Sequence, residues 1–526
     1  MTRILFVSPY YRLKLGLLLV LSFVFRSFLA FWLELGNDEV YYYTYALFPD
    51  LSHFDHPPMI GWAMQLFSLN LRFDNELALR FSSVVFMTIN TFLIFQMGKI
   101  LRSERSGWFA ALLYTSSIYA FIITGVFILP DAPQSFFWML SLWLMLLAVK
   151  EGQNEGQLRL LFPLIGLSIG LAMISKYTSV FLWFGFGLYI LLFRRHWLSK
   201  PSLYLSILIS ALCLTPVLLW NIQNNFISFS FHGQRVNIFE GGIRPSTFLT
   251  EIAGEILYNN PVVFVLVWIG VATALRQNKT EKSAGTRLLL LIGLPLIGLF
   301  LFFSLFRATL PHWTGPAYNT LLLLAATALD NGRRKLFPKP IIVALSLILI
   351  VAVAGSAQIK FALIPMNDKQ PYQHLGKNDV TLDMFGWRAL EPRFKEIRAE
   401  KIKQGLMQPQ DGILGDNWFP LANLDYYVGR PLSIKSFGMG SPERLHKYVW
   451  INVLRGGFHE GDNFWYITNS RDYKNPAELY FDDFDQIIPA DTIEISRSGK
   501  PAKRYFVFLL KGLKRLPPNY LDSLAP

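Results

Sequence analysis

The stretch LGLLLVLSFVFRSFLAFWLELGNDEVYYYTYALFPDLSHFDHPP, from Leu15 to Pro58, joins two opposite kinds of sequence. Its first part, 15–33, is apolar except for Arg26 and two serines, and at about 1.5 Å per residue it spans a hydrocarbon core of about 30 Å. Its second part gathers Asp38, Glu39, Asp50 and Asp55 with four tyrosines, His53, His56 and a Pro-Pro step. Another apolar run follows soon after. Acids and aromatics emerging from a membrane-length run read either as a solvated loop or as the active-site loop of a membrane enzyme at the outer face of the bilayer.

The rest of the chain supports a membrane setting. Of its 526 residues 52% are hydrophobic and 15% aromatic, while only 16% are charged, and those cluster. That balance belongs to a polytopic membrane protein with a smaller soluble part. The net charge of +13 follows from basic loops on the inner face, and no arginine-aromatic motif points to nucleic acid. The single cysteine, Cys213, lies in an apolar run and leaves no internal disulfide or thiolate metal site.

About eleven spans are expected, near 15–33, 81–98, 107–123, 132–149, 163–175, 177–193, 202–220, 261–275, 288–306, 317–329 and 340–358, the fifth, sixth and eighth short. The first is too long for a signal peptide and lacks its cleavage site. With the N-terminus inside, the inner connections hold most of the Lys and Arg, in runs such as Arg194-Arg195 and Arg333-Arg334-Lys335. The outer connections hold only Arg72, Arg80, Lys176, Arg235, Arg244 and Arg307. This asymmetry orients the chain, and an odd span count places the tail outside. The expected organisation is a membrane part, 1–358, with its outer-face active-site loop at 34–80, and a soluble mixed α/β domain, 359–526. In that tail an amphipathic helix is expected near Gly386–Gln404, with strands at 463–468 and 504–510.

Unusual polar residues fall on the expected outer face. Asp38-Glu39 follows the first span, where a carboxylate serves as general base, binds a cation or is merely hydrated. Tyr41 and Tyr42 form part of an interfacial belt or line a path for a lipid chain or sugar. Asp55 and His56 precede Pro57-Pro58, a start signal for the next helix, whose positive end favours an anion such as phosphate. Asp131, in Pro130-Asp131-Ala132-Pro133, either caps the fourth span or acts as a second site acid. Lys176 sits at the tip between two short spans; a recessed cation there needs a protein carboxylate or a ligand phosphate. His232 and Arg235 lie in a long outer connection, 221–260, and Arg307, His312 and Trp313 in the last one. Arg26, inside the first span, requires a buried partner.

The motifs DEVYYY, FDHPP, PDAP, GLAMISKYT, PVLLWNIQN and PHWTGPAY, in this order, resemble the bacterial GT-C glycosyltransferases related to protein O-mannosyltransferases and to the lipid A aminoarabinose transferase. The tail stretch GDNWFPLANLDYYVGRP resembles the outer domain often attached to them. The resemblance implies a GT-C-like fold in the bacterial inner membrane, N-terminus cytoplasmic and tail periplasmic. It implies inverting transfer from a polyprenyl-phosphate-sugar donor to a lipid, glycan or protein acceptor, with a divalent cation optional. It makes Asp38, with Glu39 beside it, and Asp131 the catalytic acids, and Asp55 a metal or catalytic position that His232 could complete. His56 stands where the aminoarabinose transferase has a phosphate-binding lysine, and Lys176, Arg235 and Arg307 are the further cations for the donor phosphate. The competing class is a transporter or flippase for a lipid-linked sugar, which needs polar groups through the bilayer; here the spans offer little beyond Arg26. A structural subunit whose outer domain binds partners is the other rival.

Overall fold

A computed structural model describes residues 6–236, 242–277, 283–330, 335–366 and 370–521, with no side chain described at 234–236. Arg333 and Arg334 of the basic inner connection lie outside these residues. The chain forms two compact units, one of Met1–Ala30, His56–Trp220 and His232–Ala352, the other of Phe31–Asp55, Asn221–Phe231 and Val353–Pro526.

The first unit is all helical. Among the described residues seven helices are long and apolar enough to cross a membrane: Pro9–Trp32, Glu76–Leu101, Asp131–Val149, Glu155–Met173, Pro201–Gln223, Ala284–Ser304 and Lys339–Phe361. An eighth crossing results if Pro245–Tyr258 and Pro261–Arg276, bent by 100° at their junction, count as one. The other expected spans are shorter pieces: Glu104–Ser116 running into a π-helical turn at Tyr119–Ile123, Tyr177–Phe193, and Gly315–Leu329. Every expected stretch is helical, and among the described residues membrane-length helices number seven or eight. The fifth is longer than expected because Asn154 caps it well upstream, its side chain accepting from the Gln157 amide. Large apolar side chains such as Trp138, Phe162, Phe186, Ile292 and Leu321 fill the interior. Small residues let helices touch: a Cβ at Gly270 would lie 2.4 Å from the Ala325 nitrogen, so helix Pro261–Arg276 lies against Gly315–Leu329 backbone to backbone.

Two segments expected as loops are structured. Residues 34–80 contain helices Asn37–Leu47 and Met59–Phe67. The connection 221–260 contains Ile227–Val236 and Pro245–Tyr258. Their aromatic and polar residues lower the hydropathy without preventing helix formation, because the side chains find ring and hydrogen-bond partners.

The second unit carries a five-stranded sheet in the order β2-β1-β3-β5-β4, with β1 Gly412–Gly415, β2 Ser436–Gly438, β3 Phe464–Asn469, β4 Phe484–Arg497 and β5 Lys500–Leu513. Strand β1 runs parallel to β2 and β3, and β5 runs antiparallel to β3 and β4. Ser498 and Gly499, at φ 52° and 77°, make the two-residue turn that joins β4 to β5. The amphipathic helix of the tail runs Leu390–Lys403 and buries Leu390, Phe394 and Ile397, with the Phe394 ring 5.2 Å from Trp465. The segment after the first span belongs to this unit. The Leu35 amide donates to the Tyr427 hydroxyl at 2.6 Å, and Asn37 donates to Asp383 at 2.7 Å. The Trp387 amide donates to Glu34 at 2.9 Å.

Candidate active site

In the first unit, Asp131 opens helix Asp131–Val149, and Lys176 lies in the break after helix Glu155–Met173. The recessed lysine expected from the short arms is 6% exposed, and its partner is a carboxylate. The ammonium donates to both oxygens of Asp131, at 2.9 and 2.8 Å, with Asp131 itself 2% exposed. So enclosed a pair is strongly coupled, because little water screens it. The Tyr119 hydroxyl donates to the same carboxylate at 3.4 Å, from within the π-helical turn. Such turns carry an extra residue and recur at functional sites.

Two imidazoles act on this pair, and a third lies beside one of them. His56 and His312 both act electrostatically on Asp131. His232 lies with its ring 6.1 Å from His56 and 5.5 Å from Tyr177. Burial pushes the pKa of His312 down to about 4, with Asp131 opposing the shift and Lys176 adding to it. His312 is therefore a neutral ring at physiological pH. The Trp313 ring stands 6.0 Å from the Lys176 ammonium. Six of the residues selected from the sequence, His56, Asp131, Lys176, His232, His312 and Trp313, thus gather in one place. Arg307 is half-buried, just after helix Ala284–Ser304. Arg235 belongs to helix Ile227–Val236, and its side chain lies outside the described residues.

The second unit holds the other half of the selected residues. The chain leaves it between Asp55 and His56. Helix Asn37–Leu47 starts where Glu39 folds back and accepts the Gly36 amide at 2.8 Å, so Glu39 caps its own helix. Asp38, Tyr41, Tyr42 and Tyr45 follow at i, i+3, i+4 and i+7, which places them on one helix face. Tyr41 and Tyr45 both donate to the Asp55 carboxylate at 2.6 Å. Burial and Asp55 hold both phenols well above their usual pKa, so they remain protonated donors. Asp38 is exposed one turn before Tyr41, and the Tyr42 ring packs against Tyr41 and Tyr45 at 5.5 and 5.4 Å. Tyr41, expected in an interfacial belt or lining a path, donates its hydroxyl to the Asp55 carboxylate.

His446 and Lys447, which the sequence did not single out, complete this cluster. The His446 ring stacks on Trp418 at 5.9 Å, lies 5.7 Å from Tyr41 and 5.2 Å from Phe54, and brings Nδ1 to 3.9 Å from Asp55. Its backbone takes φ 50°, ψ −126°, rarely adopted by a residue with a Cβ. Lys447 is 4% exposed, and its ammonium donates to the carbonyls of Thr44, at 3.1 Å, and Phe48. Burial drives its pKa well below the ordinary lysine range, with Asp50 and Asp55 opposing the shift. Lys447 lies 403 and 399 positions from Thr44 and Phe48, and no local pattern announces such contacts.

A divalent cation requires several oxygen or nitrogen ligands together. Among the described residues no group of three or more His, Cys, Asp and Glu is placed to hold one. Asp55 is engaged by two tyrosine hydroxyls, and His232 makes ring contacts with His56 and Tyr177. The residues present do not fit a resident metal at Asp55 and His232.

Comparison with known proteins agrees with this architecture. Residues 55–220 match the dolichyl-phosphate-mannose-protein mannosyltransferase family. The lipid A galacturonosyltransferase RgtD of Rhizobium johnstonii is 22% identical over 441 residues, 82% of this chain and 87% of that protein. The fold is that of ArnT from Cupriavidus metallidurans in the apo state, with a TM-score of 0.63 at 14% identity over 98% of this chain and all of that one. The same protein bound to undecaprenyl phosphate also superposes with a TM-score of 0.63, over 99% of this chain. Along most of its length the chain is thus similar to a membrane-lipid glycosyltransferase, and its fold is the one ArnT has.

Proposed function

We propose that the chain transfers a sugar from a polyprenyl-phosphate donor to a lipid acceptor of the lipid A kind. The reaction takes place on the outer face of the bacterial inner membrane, with the N-terminus cytoplasmic and the tail domain periplasmic. The likeness to a lipid A galacturonosyltransferase along most of the chain supports the acceptor class. The observation that carries the chemistry is the buried Asp131–Lys176 pair ringed by His56, His312 and Tyr119. It holds a positive charge ready in a water-poor place, where it acts most strongly on a developing anion.

In the reaction an acceptor oxygen bonds to the anomeric carbon as the carbon–oxygen bond to the phosphate breaks. The bonding pair leaves with the polyprenyl phosphate, and attack from the opposite face inverts the centre. Lys176, turning part of its charge from Asp131 toward the leaving phosphate, stabilises the product, aided by His56, Arg235 and Arg307. Asp38 takes the proton of an acceptor hydroxyl; for an acceptor phosphate it orients without deprotonating. Asp55, fixed by Tyr41 and Tyr45, gives that loop its shape and presents a second carboxylate. No observation favours the flippase reading.

The test is mass spectrometry of envelope lipids from cells with and without the gene. One sugar missing from a lipid A-type species in the deletion supports the proposal. An unchanged lipid profile with a lost protein or glycan modification would move the acceptor to another class.

A further inference from the structure

Helix Lys339–Phe361 ends where Ala362 turns into the left-handed region, at φ 50°. The chain then folds back on the helix: the Gln358 side chain accepts from the Ile364 amide and donates to the Ile364 carbonyl, both at 2.8 Å. That reciprocal pair fixes a turn whose apolar side chains stay outside. Leu363 is 64% and Ile364 67% exposed, with Phe361 and Met366 exposed beside them. An ordered apolar shelf directly after a membrane-length helix belongs at the boundary between acyl chains and headgroups. Trp32, which ends the first span, marks the same level, since its ring centre is 5.5 Å from the Lys360 ammonium.

The turn between β4 and β5 is seated on this helix end. Ser498 donates its hydroxyl to the Phe361 carbonyl at 2.7 Å, and Arg497 donates to the Ile359 carbonyl at 3.2 Å. The hairpin thus satisfies carbonyls that a helix leaves unpaired at its C-terminus. Arg497 is 6% exposed; it also donates to the Thr381 hydroxyl at 2.8 Å and pairs with Asp379. Its Nε has no hydrogen-bond partner among the described residues. A cavity of about 140 Å³ lies beside it, lined by apolar Phe361, Pro365 and Met366 and by Asp379, Arg497 and Lys500. Asp379 answers Arg497, which leaves the ammonium of the exposed Lys500 as the excess charge on that lining.

We propose that this corner of the tail domain is a membrane-lipid site. The 361–366 shelf rests in the headgroup boundary, and the cavity takes the phosphate of an anionic phospholipid, held by the Arg497 Nε–H and the Lys500 ammonium. A phosphodiester brings a negative charge and free acceptor oxygens, which match the excess cation and the unpaired donor. Its acyl chains run along the apolar residues of the same lining, which a free phosphate ion would not use. The site is independent of the glycosyl-transfer reading.

The test uses the full-length protein in nanodiscs of phosphatidylcholine alone and of an equal mixture of phosphatidylcholine and phosphatidylglycerol. Hydrogen exchange is read across 359–366 and 497–501. In the mixture wild type should exchange more slowly in both segments, by about 10-fold or more, the range of a charge-assisted hydrogen bond. Lys500→Glu, at an exposed position of the turn, should lose that difference while strand β3 exchanges as before. Leu363→Ser combined with Ile364→Ser should reduce it. Equal exchange of wild type in the two bilayers, or a difference that survives in Lys500→Glu, would overturn the site. If the double variant fails to fold, Lys500→Glu decides alone; if it folds and keeps the full difference, the shelf has no part in lipid binding and the proposal fails. Inorganic phosphate added to the phosphatidylcholine discs should not reproduce the slowing. If it does, the ligand is a free anion and the lipid assignment is wrong.

Discussion

Lys176 donates to both carboxylate oxygens of Asp131, and the two side chains are buried together where the helix from Asp131 begins. Each charge is the other's counter-ion, so the closed pair is a net-neutral structural element, and Lys176 presents positive charge only as it turns from Asp131.

Breaking that pair is expected to harm folding as well as activity. Lys176→Met leaves Asp131 buried without its partner, at a cost of about 3–5 kcal/mol. The double variant Lys176→Met/Asp131→Leu should regain most of the thermal stability but no transfer activity. Melting curves beside transfer assays check this, and a stable, active double variant would make the pair dispensable.

The carboxylates of the first loop should behave differently from one another. Asp38→Asn keeps the shape and removes the base, so turnover should fall by about 10²–10⁴-fold with donor binding nearly intact. Asp55→Asn weakens the two hydrogen bonds from Tyr41 and Tyr45 and should loosen the whole loop. Single-turnover transfer and donor binding measured on both variants separate the two roles. Identical defects in both assays would collapse the distinction.

The tail domain should matter to that loop. Lys447→Met removes the ammonium that holds the carbonyls of Thr44 and Phe48, leaving them buried without that donor. Hydrogen exchange across Gly36–Pro58 should rise in this variant, and in His446→Ala, while exchange in strand β5 stays unchanged. Unchanged loop protection in both would show that the loop keeps its form unaided.

His312 gives the protein a predicted pH response. Its pKa lies below that of the unfolded chain, so the neutral ring is the native form. Stability should be fully present above about pH 6.5 and be lost as pH falls toward about 4, where the folded ring protonates. Melting temperatures of wild type and His312→Gln, compared from pH 7.5 to 4.5, should converge at the acid end. Parallel curves would mean that His312 titrates normally.

Much of this was legible in the sequence where chemistry is local. Lys176 betrayed itself because a cation at a tip between short apolar arms must be recessed, and Asp55 because Pro57-Pro58 fixes the turn that follows it. The long helices followed from hydropathy. The shorter pieces resisted, since Glu104–Ser116 is packed inside protein and Pro245–Tyr258 meets its neighbour at a 100° bend. In the tail, helix Leu390–Lys403 and strands β3 and β5 showed their periodicity. The short parallel strands β1 and β2 did not, being three or four residues long. Tyr119, His446 and Lys447 were missed because their roles come from partners brought near only by the fold.

The central claim is sugar transfer from a polyprenyl-phosphate donor, and it is tested most directly by reconstitution. Purified protein in nanodiscs is incubated with a radiolabelled polyprenyl-phosphate sugar and a lipid A acceptor, and the products are separated and weighed by mass spectrometry. The account predicts label moving to the lipid with release of polyprenyl phosphate, slowed by about 10²–10⁴-fold in Asp38→Asn and lost in Lys176→Met. Label that stays on the donor in wild type, with donor bound and protein folded, would contradict it.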